Sequence, residues 1–415
     1  MKKNTLFVAS CVAITATAMT FAIRAELINV LGGQFHLSSE EIGFVSGTAF
    51  WGFTLSMIVG GFMVDKVGMR NIIALALAGH VLGITMTIYA TGFWSLFFST
   101  LCIGIANGFV EAAVNPLVAS LYPENKTTKL NLLHVWFPAG IVIGGLVVHY
   151  FNAFNWGWQL QMATIFIPAI LYGILLLPLQ FPKTERVSTG VSNADMLKEL
   201  SKPLFIVMAF AMLLTASTEL GTNQWIAVLL KNAVSSPIIL LVFINGIMVV
   251  GRLMAGKVEH VFSTTGMLLF SAIFSTLGLL LFNYLEGDLV FVAAGIFAMG
   301  VCYFWPTMLA FVANYLPKTG AMGLSVMGGM GMLSVAIILP LMGHVYDANS
   351  VRLLPERQTL ESIKAAGVGT KEAQLFATIS LQAGKSTLLQ VAAIPTLLIV
   401  IFGILFVSRK KQYNG

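Results

Sequence analysis

The feature that most constrains this chain is the recurrence of long apolar runs, each about the length needed to cross a bilayer. Twelve can be placed, at about 5–31, 41–64, 71–91, 93–121, 131–151, 158–181, 203–230, 236–256, 264–284, 288–316, 319–343 and 387–408. In hydrocarbon a backbone N–H or C=O must find its partner inside the protein, which leaves helices or a closed barrel. The runs lack the two-residue alternation of a barrel strand, so helices are expected. A composition of 57% hydrophobic and 10% charged residues excludes a chain of soluble domains. Lys2 and Lys3 before an apolar stretch resemble the start of a signal peptide, but the run continues past Phe21 to about Leu31, so it reads as the first span. Cys11, Cys102 and Cys302 all fall inside apolar runs and suggest packing rather than a disulfide framework.

An even number of spans puts both termini on one side. With the N-terminus inside, fifteen of the 23 basic residues fall in inner loops and tails. Among the short outer loops only Lys231 is basic, five more lie in a long outer segment, and Arg24 and Arg252 lie within spans. The positive-inside rule then predicts cytoplasmic termini in a multi-pass protein of the cell inner (plasma) membrane. The net charge of +6 is a matter of topology, and no nucleic-acid partner is expected. The long outer segment, about 344–386, holds two helix-compatible stretches, Leu354 to Ala365 and Lys371 to Leu381, too polar to span. They are expected to form an extracytoplasmic cap over the last helix pair.

A polar loop divides six spans from six, giving an N-terminal bundle at 1–181, a cytoplasmic linker at 182–202 and a C-terminal bundle at 203–415. The halves echo each other. VDKV at Val64 to Val67 returns as AGKVE near Lys257, ASLYP at Ala119 to Pro123 as ANYLP at Ala313 to Pro317, and AEL at Ala25 to Leu27 as TEL at Thr218 to Leu220, at offsets of 191, 194 and 193 residues. GFMVDKVGMR from Gly61 to Arg70 supplies a glycine for close helix approach (Gly61), a turn glycine (Gly68) and a charge cluster of Asp65, Lys66 and Arg70. The chain resembles the major facilitator superfamily in this loop signature, G-x-x-x-D-K/R-x-G-x-K/R, and in its duplicated halves. That resemblance implies an all-α fold of 12 transmembrane helices in two pseudo-symmetric six-helix bundles, a substrate site near the midplane, and a gating role for Gly61, Asp65, Lys66, Gly68 and Arg70. The second copy, from Gly251, lacks the aspartate; Glu259 stands nearby as a substitute.

The stretch from Ile105 to Leu146 carries the chemistry. Asn107, Glu111 and Asn115 follow at i, i+4 and i+8, one polar stripe on an apolar helix. A carboxylate there costs at least ~2.5 to 3.5 kcal/mol against lipid and belongs against protein or a water-filled cavity. Glu111-Ala-Ala-Val-Asn-Pro116, followed by Leu130-Asn-Leu-Leu-His-Val-Trp136 with Gly140 behind, is similar to the fucose/galactose/glucose proton symporter family, which has a helix-4 Glu, an Asn-Pro and a helix-5 L-N-x-x-Q-x-aromatic pattern. The resemblance implies that Glu111 is the proton-linked carboxylate, Asn115 its polar partner, and Asn131, His134 and Trp136 part of a sugar-contacting stretch, with His134 in place of the family's Gln. The family's helix-1 Asp has no clear counterpart; Asn29 falls nearest, with Glu26 a turn earlier.

Thr215, Glu219 and Asn223 form a second i, i+4, i+8 stripe, followed by Gln224 and Trp225. A sugar needs polar groups for its hydroxyls and an aromatic plate for its C–H face, so Asn223, Trp225, Trp136 and Trp305 join the candidate substrate-binding residues. Arg24 is expected to attract Glu111 or Glu219, completing a coupling set of those three residues. Asn245 and Arg252 read as cavity or gate residues, packing being at least as strong a reading for either, and Asn107, Asn115 and Asn245 complete the candidate substrate-binding set. Trp51, Trp94, Trp156 and Trp158, near span ends, suit interfacial belts. VMGGMGM from Val326 to Met332 reads as close helix packing, not a phosphate cradle, because no strand precedes it.

No metal-ligand spacing, Walker loop, dinucleotide fingerprint or nucleophile set is present in the sequence, so neither an enzyme nor a metal or cofactor site is expected beyond a coupling ion, H+ or alternatively Na+. The expectation is a monomeric secondary transporter importing a hexose or deoxyhexose by proton symport. The rivals are sodium-coupled sugar transport, export of a drug or other small solute, and a non-transporting nutrient receptor.

Overall fold

The computed structural model describes residues 2–230, 237–355, 359–364 and 370–413; Lys231 lies outside them, as does the side chain of Asn29. Among the described residues there is no strand. The helices are α1 (Lys3–Gln34), α2 (Ser39–Val67), α3 (Met69–Ile88), α4 (Phe93–Leu121), α5 (Lys126–His134), α6 (Trp136–Ala153), α7 (Trp158–Ala163), α8 (Phe166–Leu176), α9 (Glu185–Ser188), α10 (Asn193–Leu200), α11 (Pro203–Ala216), α12 (Thr222–Leu229), α13 (Pro237–Leu253), α14 (Ala255–Tyr284), α15 (Val290–Val301), α16 (Phe304–Tyr315), α17 (Gly320–Arg352), α18 (Leu360–Lys364), α19 (Lys371–Val391) and α20 (Ala393–Tyr413). Counted as spans, eleven are long and apolar enough to cross a membrane, and Ile239–Leu253 is a shorter apolar helix. The all-helical membrane architecture expected from the sequence is therefore present.

Several spans are broken, and prolines place the breaks. A proline donates no N–H to the carbonyl four residues earlier. Pro138, Pro168, Pro306 and Pro395 lie four residues after His134, Thr164, Cys302 and Val391, and the helix is interrupted at Val135, at Thr164–Ile165, at Cys302–Tyr303 and at Ala392. A fifth irregularity is a π-helical turn at Ser217–Gly221, joining α11 to α12. The internal repeat is visible in the backbone. Tyr122 (φ −132°, ψ 62°) and Leu316 (φ −132°, ψ 49°) occupy matching positions, each opening a 3-10 turn that begins at a proline, Pro123–Asn125 and Pro317–Thr319.

The chain forms two compact units: Met1–Leu213 with Arg252–Thr264 and Trp305–Leu333, and Leu214–Gly251 with Thr265–Phe304 and Ser334–Gly415. In the first, α2 starts in a capping box, with Ser38 Oγ accepting from the Glu41 N–H and Glu41 Oε2 accepting from the Ser38 N–H. It ends at Gly68, whose φ of +89° makes the turn into α3. At Gly61 a Cβ would overlap Ser325 of α17, so the loop-signature glycine is a helix contact as the sequence suggested. Gly329, in the glycine-rich run on α17, packs against Ile58 and the Thr54 carbonyl. Trp158 departs from expectation: it is buried, with Nε1 donating to Gln34 Oε1 at 2.7 Å, whereas Trp51, Trp94 and Trp156 are exposed.

The long segment expected at about 344–386 is largely helical in the second unit. α17 runs 33 residues to Arg352, roughly 50 Å at 1.5 Å per residue, and the last span begins at Lys371 instead of about 387. Against a hydrocarbon core of ~30 Å, these polar stretches are helix ends standing beyond the bilayer. They are tied to each other, with Asn349 Nδ2 donating to Thr387 Oγ1 (3.1 Å) and Gln390 Nε2 to Asn349 Oδ1 (3.2 Å). Lys385 donates to Glu286 at 2.8 Å, which holds the Glu286 carboxyl below the usual carboxylate range. Of the stretch Leu354 to Ala365, residues 356–358 and Ala365 lie outside the described set, and Leu360–Lys364 is a short helix.

Close helix contact is severe at Gly300, where a Cβ would overlap the Ser275 backbone, whereas nothing lies within 4 Å of a Cβ at Gly403. Overpacking of this kind costs ~1–3 kcal/mol or more. Gly300→Val is expected to lower the unfolding midpoint of the purified protein in detergent, read by scanning fluorimetry, while Gly403→Ala leaves it unchanged or raises it. Equal midpoints for the two variants would contradict this packing.

Candidate functional site

Glu111 lies in the middle of α4 and is 1% exposed. One turn on, Asn115 turns its amide toward it, Nδ2 donating to Glu111 Oε2 at 3.1 Å. The other end of that amide, Oδ1, lies 3.1 Å from His134 Nε2. His134 is the last residue of α5, where the break imposed by Pro138 leaves its carbonyl without a helical donor. Arg252, at the end of α13 and fully buried, fills the gap: Nη1 donates to His134 O at 2.8 Å. The same guanidinium acts electrostatically on both Glu111 and His134. All four residues belong to the first compact unit, so segments distant in sequence meet in one buried polar cluster.

Other expected residues surround it. Asn131 is buried, with Nδ2 donating to Thr127 O (2.9 Å) and Thr307 Oγ1 (3.3 Å), and its Oδ1 has no partner. Trp305 is 5% exposed and held against Gly331. Its Nε1 neighbours Glu111 but completes no hydrogen bond. Trp136, just past the helix break, is exposed.

Asn107 is placed differently from the rest of its stripe. Its Oδ1 meets His80 Nε2 at 2.8 Å, its Nδ2 donates to Thr20 Oγ1 at 2.8 Å, and His80 Nδ1 meets Tyr172 Oη at 2.9 Å. Both ends of the amide are used inside the protein, in a chain linking α1, α3, α4 and α8. Arg24 also departs from expectation. Nη1 donates to Ser46 O at 3.0 Å and the guanidinium lies over Phe21 and Phe50, so the buried cation facing Glu111 is Arg252.

The second unit holds the other stripe. Glu219 is 2% exposed and lies within the π-turn Ser217–Gly221, the kind of irregularity that re-aims side chains at functional sites. Asn223 is half-buried, touches Met248 Sδ at 4.0 Å, and its Oδ1 has no partner. Asn245 is buried, donating to Leu241 O at 2.9 Å with Oδ1 likewise unpartnered. Trp225 packs beside Gly343, its ring 6.3 Å from that of Tyr346. Each unit thus keeps buried hydrogen-bonding atoms that its own side chains do not satisfy.

At the Asp65 end of the first unit, the cation that pairs with Asp65 comes from the linker. Arg186 Nε donates to Asp65 Oδ2 and Thr184 Oγ1 to Oδ1, while Lys66 and Arg70 are exposed. Arg70 lines a cavity of about 640 Å³ with Asp65 and Gly68. Lys126 pairs with Glu185 (2.8 Å) and donates to Ala313 O (2.9 Å), joining the two copies of the repeat. Glu259 accepts from Thr128 Oγ1 at 3.0 Å. Sequence reasoning missed Thr184, Glu185 and Arg186; a polar linker advertises charge but not its partners.

The sequence model of the Major Facilitator Superfamily matches residues 6–338. Among curated proteins, the D-xylose transporter of Levilactobacillus brevis is 28% identical over 148 residues, 35% of this chain and 32% of the relative. The facilitated glucose transporter member 10 of solute carrier family 2 from Xenopus laevis is 27% identical over 139 residues, 33% of this chain and 25% of the relative. The matched stretch is thus about a third or less of these relatives' length. Among solved structures, the fucose:proton symporter FucP of Escherichia coli superposes with a TM-score of 0.67 at 16% identity, covering 94% of this chain and 98% of that one. The proton:xylose symporter XylE superposes with a TM-score of 0.70 at 13% identity, covering 96% of each. At these identities the likeness is one of fold, and the relatives and fold neighbours are transporters, not enzymes.

Removing the charge of Asp65 leaves the buried Arg186 unpaired, a change that typically costs ~3–5 kcal/mol. Asp65→Asn is expected to raise the rate of maleimide labelling of a Ser325→Cys reporter at least tenfold, because Ser325 is buried against Gly61. Lys66→Gln should leave the rate unchanged. Equal rates for Asp65→Asn and the parent would sink the assignment.

Proposed function

The chain belongs to the major facilitator superfamily, and from that premise we propose that it imports a sugar, a hexose or deoxyhexose, by proton symport through alternating access. The observation that carries this reading is the buried cluster of Glu111, Asn115, His134 and Arg252. A carboxylate placed mid-span is expensive unless it is paired, and its protonation changes what holds the unit together. While Glu111 is ionised, Arg252 attracts it and ties α4 to the end of α13. A proton on Glu111 removes that attraction while Arg252 keeps its bond to the His134 carbonyl, and it eases separation of the segments. The unsatisfied Asn131 Oδ1 and Trp305 Nε1 in one unit, and Asn223 Oδ1 and Asn245 Oδ1 in the other, offer the acceptors and donors that sugar hydroxyls need. Trp136, Trp225 and Trp305 are the aromatic plates, and Glu219 is the second buried carboxylate. The xylose, glucose and fucose named for its relatives and fold neighbours favour a sugar over a greasy solute. We read the termini as cytoplasmic from the basic inner loops, the protein as a monomer of the cell inner membrane, and the Asp65–Arg186 contact as part of the cytoplasmic gate.

In lightly buffered, de-energised cells expressing the protein, one member of a sugar panel is expected to alkalinise the medium. Glu111→Gln should abolish accumulation against a gradient, a loss of tenfold or more, while retaining exchange of labelled for unlabelled sugar. Accumulation by Glu111→Gln at the parental level would refute the coupling role, and sodium-dependent uptake indifferent to pH would replace H+ by Na+.

A further inference from the structure

The hydrogen bonds around Glu111 have a direction, and charge sets it. An ionised carboxylate only accepts, so Asn115 must present Nδ2 to Glu111 and therefore Oδ1 to His134. An amide oxygen only accepts as well, so His134 Nε2 must carry a hydrogen, and in the neutral ring Nδ1 is then the acceptor. His134 is buried in a cluster where Arg252 already donates to its carbonyl, so a second cation there would be costly and the ring is neutral. Glu111 fixes the far end of a three-residue chain.

A proton on Glu111 reverses the chain. The Asn115 amide, bonded to that carboxylate through Nδ2, carries on its other end an oxygen that can accept. Turning the amide over lets Glu111 O–H donate to Asn115 Oδ1 and swings Nδ2 onto His134 Nε2. A donor now faces a donor unless the imidazole changes tautomer, with Nε2 giving its hydrogen to water and Nδ1 taking one from water. The balance is one proton bound at Glu111 and none at His134.

We infer that Asn115 and His134 form a relay that converts the protonation of Glu111 into an inversion of the hydrogen-bonding polarity of His134 Nδ1, from acceptor to donor. The inference rests on the proton-coupled reading above and says how the site would report its proton to a bound polyol: the same ring nitrogen asks for a hydroxyl hydrogen in one state and offers its own in the other. Asn115 and His134 are positioning residues here. Arg252, by holding the His134 carbonyl, keeps the ring in register with the amide.

The test is ¹⁵N spectroscopy of histidine-labelled full-length protein in nanodiscs, titrated with pH alongside the infrared carboxyl band of Glu111. His36, His149, His260 and His344 are exposed and can be replaced, leaving His80 and His134 to be told apart by His134→Gln. Should that variant fail to fold, Tyr172→Phe identifies His80 through its lost partner. The expected result is Nε2–H above the Glu111 midpoint and Nδ1–H below it, with coincident midpoints. In Asn115→Leu the Glu111 band should still titrate while His134 keeps one tautomer throughout. A single His134 tautomer across the Glu111 titration of the parent protein would overturn the relay, whether or not any sugar drives proton uptake in cells. A tautomer switch in protein that takes up no protons with sugar would uphold the relay and reject the transport reading.

Discussion

The buried polar cluster of the first compact unit is organised around Arg252, which donates to the backbone carbonyl of His134. That carbonyl is available because Pro138 cannot donate to it. An arginine buried in an apolar setting is otherwise a liability of several kcal/mol, and here it is offset by the freed carbonyl and by the Glu111 carboxylate. A helix-breaking residue, a buried cation and a buried carboxylate each look unfavourable alone. Together they satisfy one another, and they join a span of the first half to a span of the second.

The same logic recurs at the Asp65 end. Asp65 accepts from Arg186 and Thr184, and Lys126 bridges Glu185 to the Ala313 carbonyl. Both places rest on charge-assisted bonds between segments far apart in the chain, and such bonds can be exchanged without disturbing the helices that carry them. The apolar contacts beneath them, such as Gly61 on Ser325, set how close those segments come. Rigid helices with exchangeable polar ties are the physical requirement for a protein that must rest in more than one arrangement.

Much of this was legible because it is local. Apolar run length gave the spans, the ASLYP and ANYLP repeat gave matching turns at Tyr122 and Leu316, and the i, i+4 spacing placed Asn115 on Glu111. What escaped was long-range or compensated. Asn107 shares the stripe of Glu111, but its amide is consumed by His80 and Thr20, residues 27 and 87 positions away. Arg24 was the expected cation from its place within a span, whereas Arg252 acts on Glu111 through a fold that spacing alone does not describe. The polar stretch after 343 was read by hydropathy, which reports what cannot sit in lipid but not whether a helix simply continues past it. Proline spacing could have flagged the His134 carbonyl as unfilled; it could not have named the donor.

The account makes Glu111 the group through which binding of a sugar and binding of a proton are linked. Its most direct test is the number of protons taken up per sugar bound by the purified protein in unbuffered solution, measured with the sugar that alters external pH in cells. The account requires uptake approaching one proton per sugar in the parent and none in Glu111→Gln. Sugar binding with no proton uptake in the parent, or uptake that survives in Glu111→Gln, would contradict it.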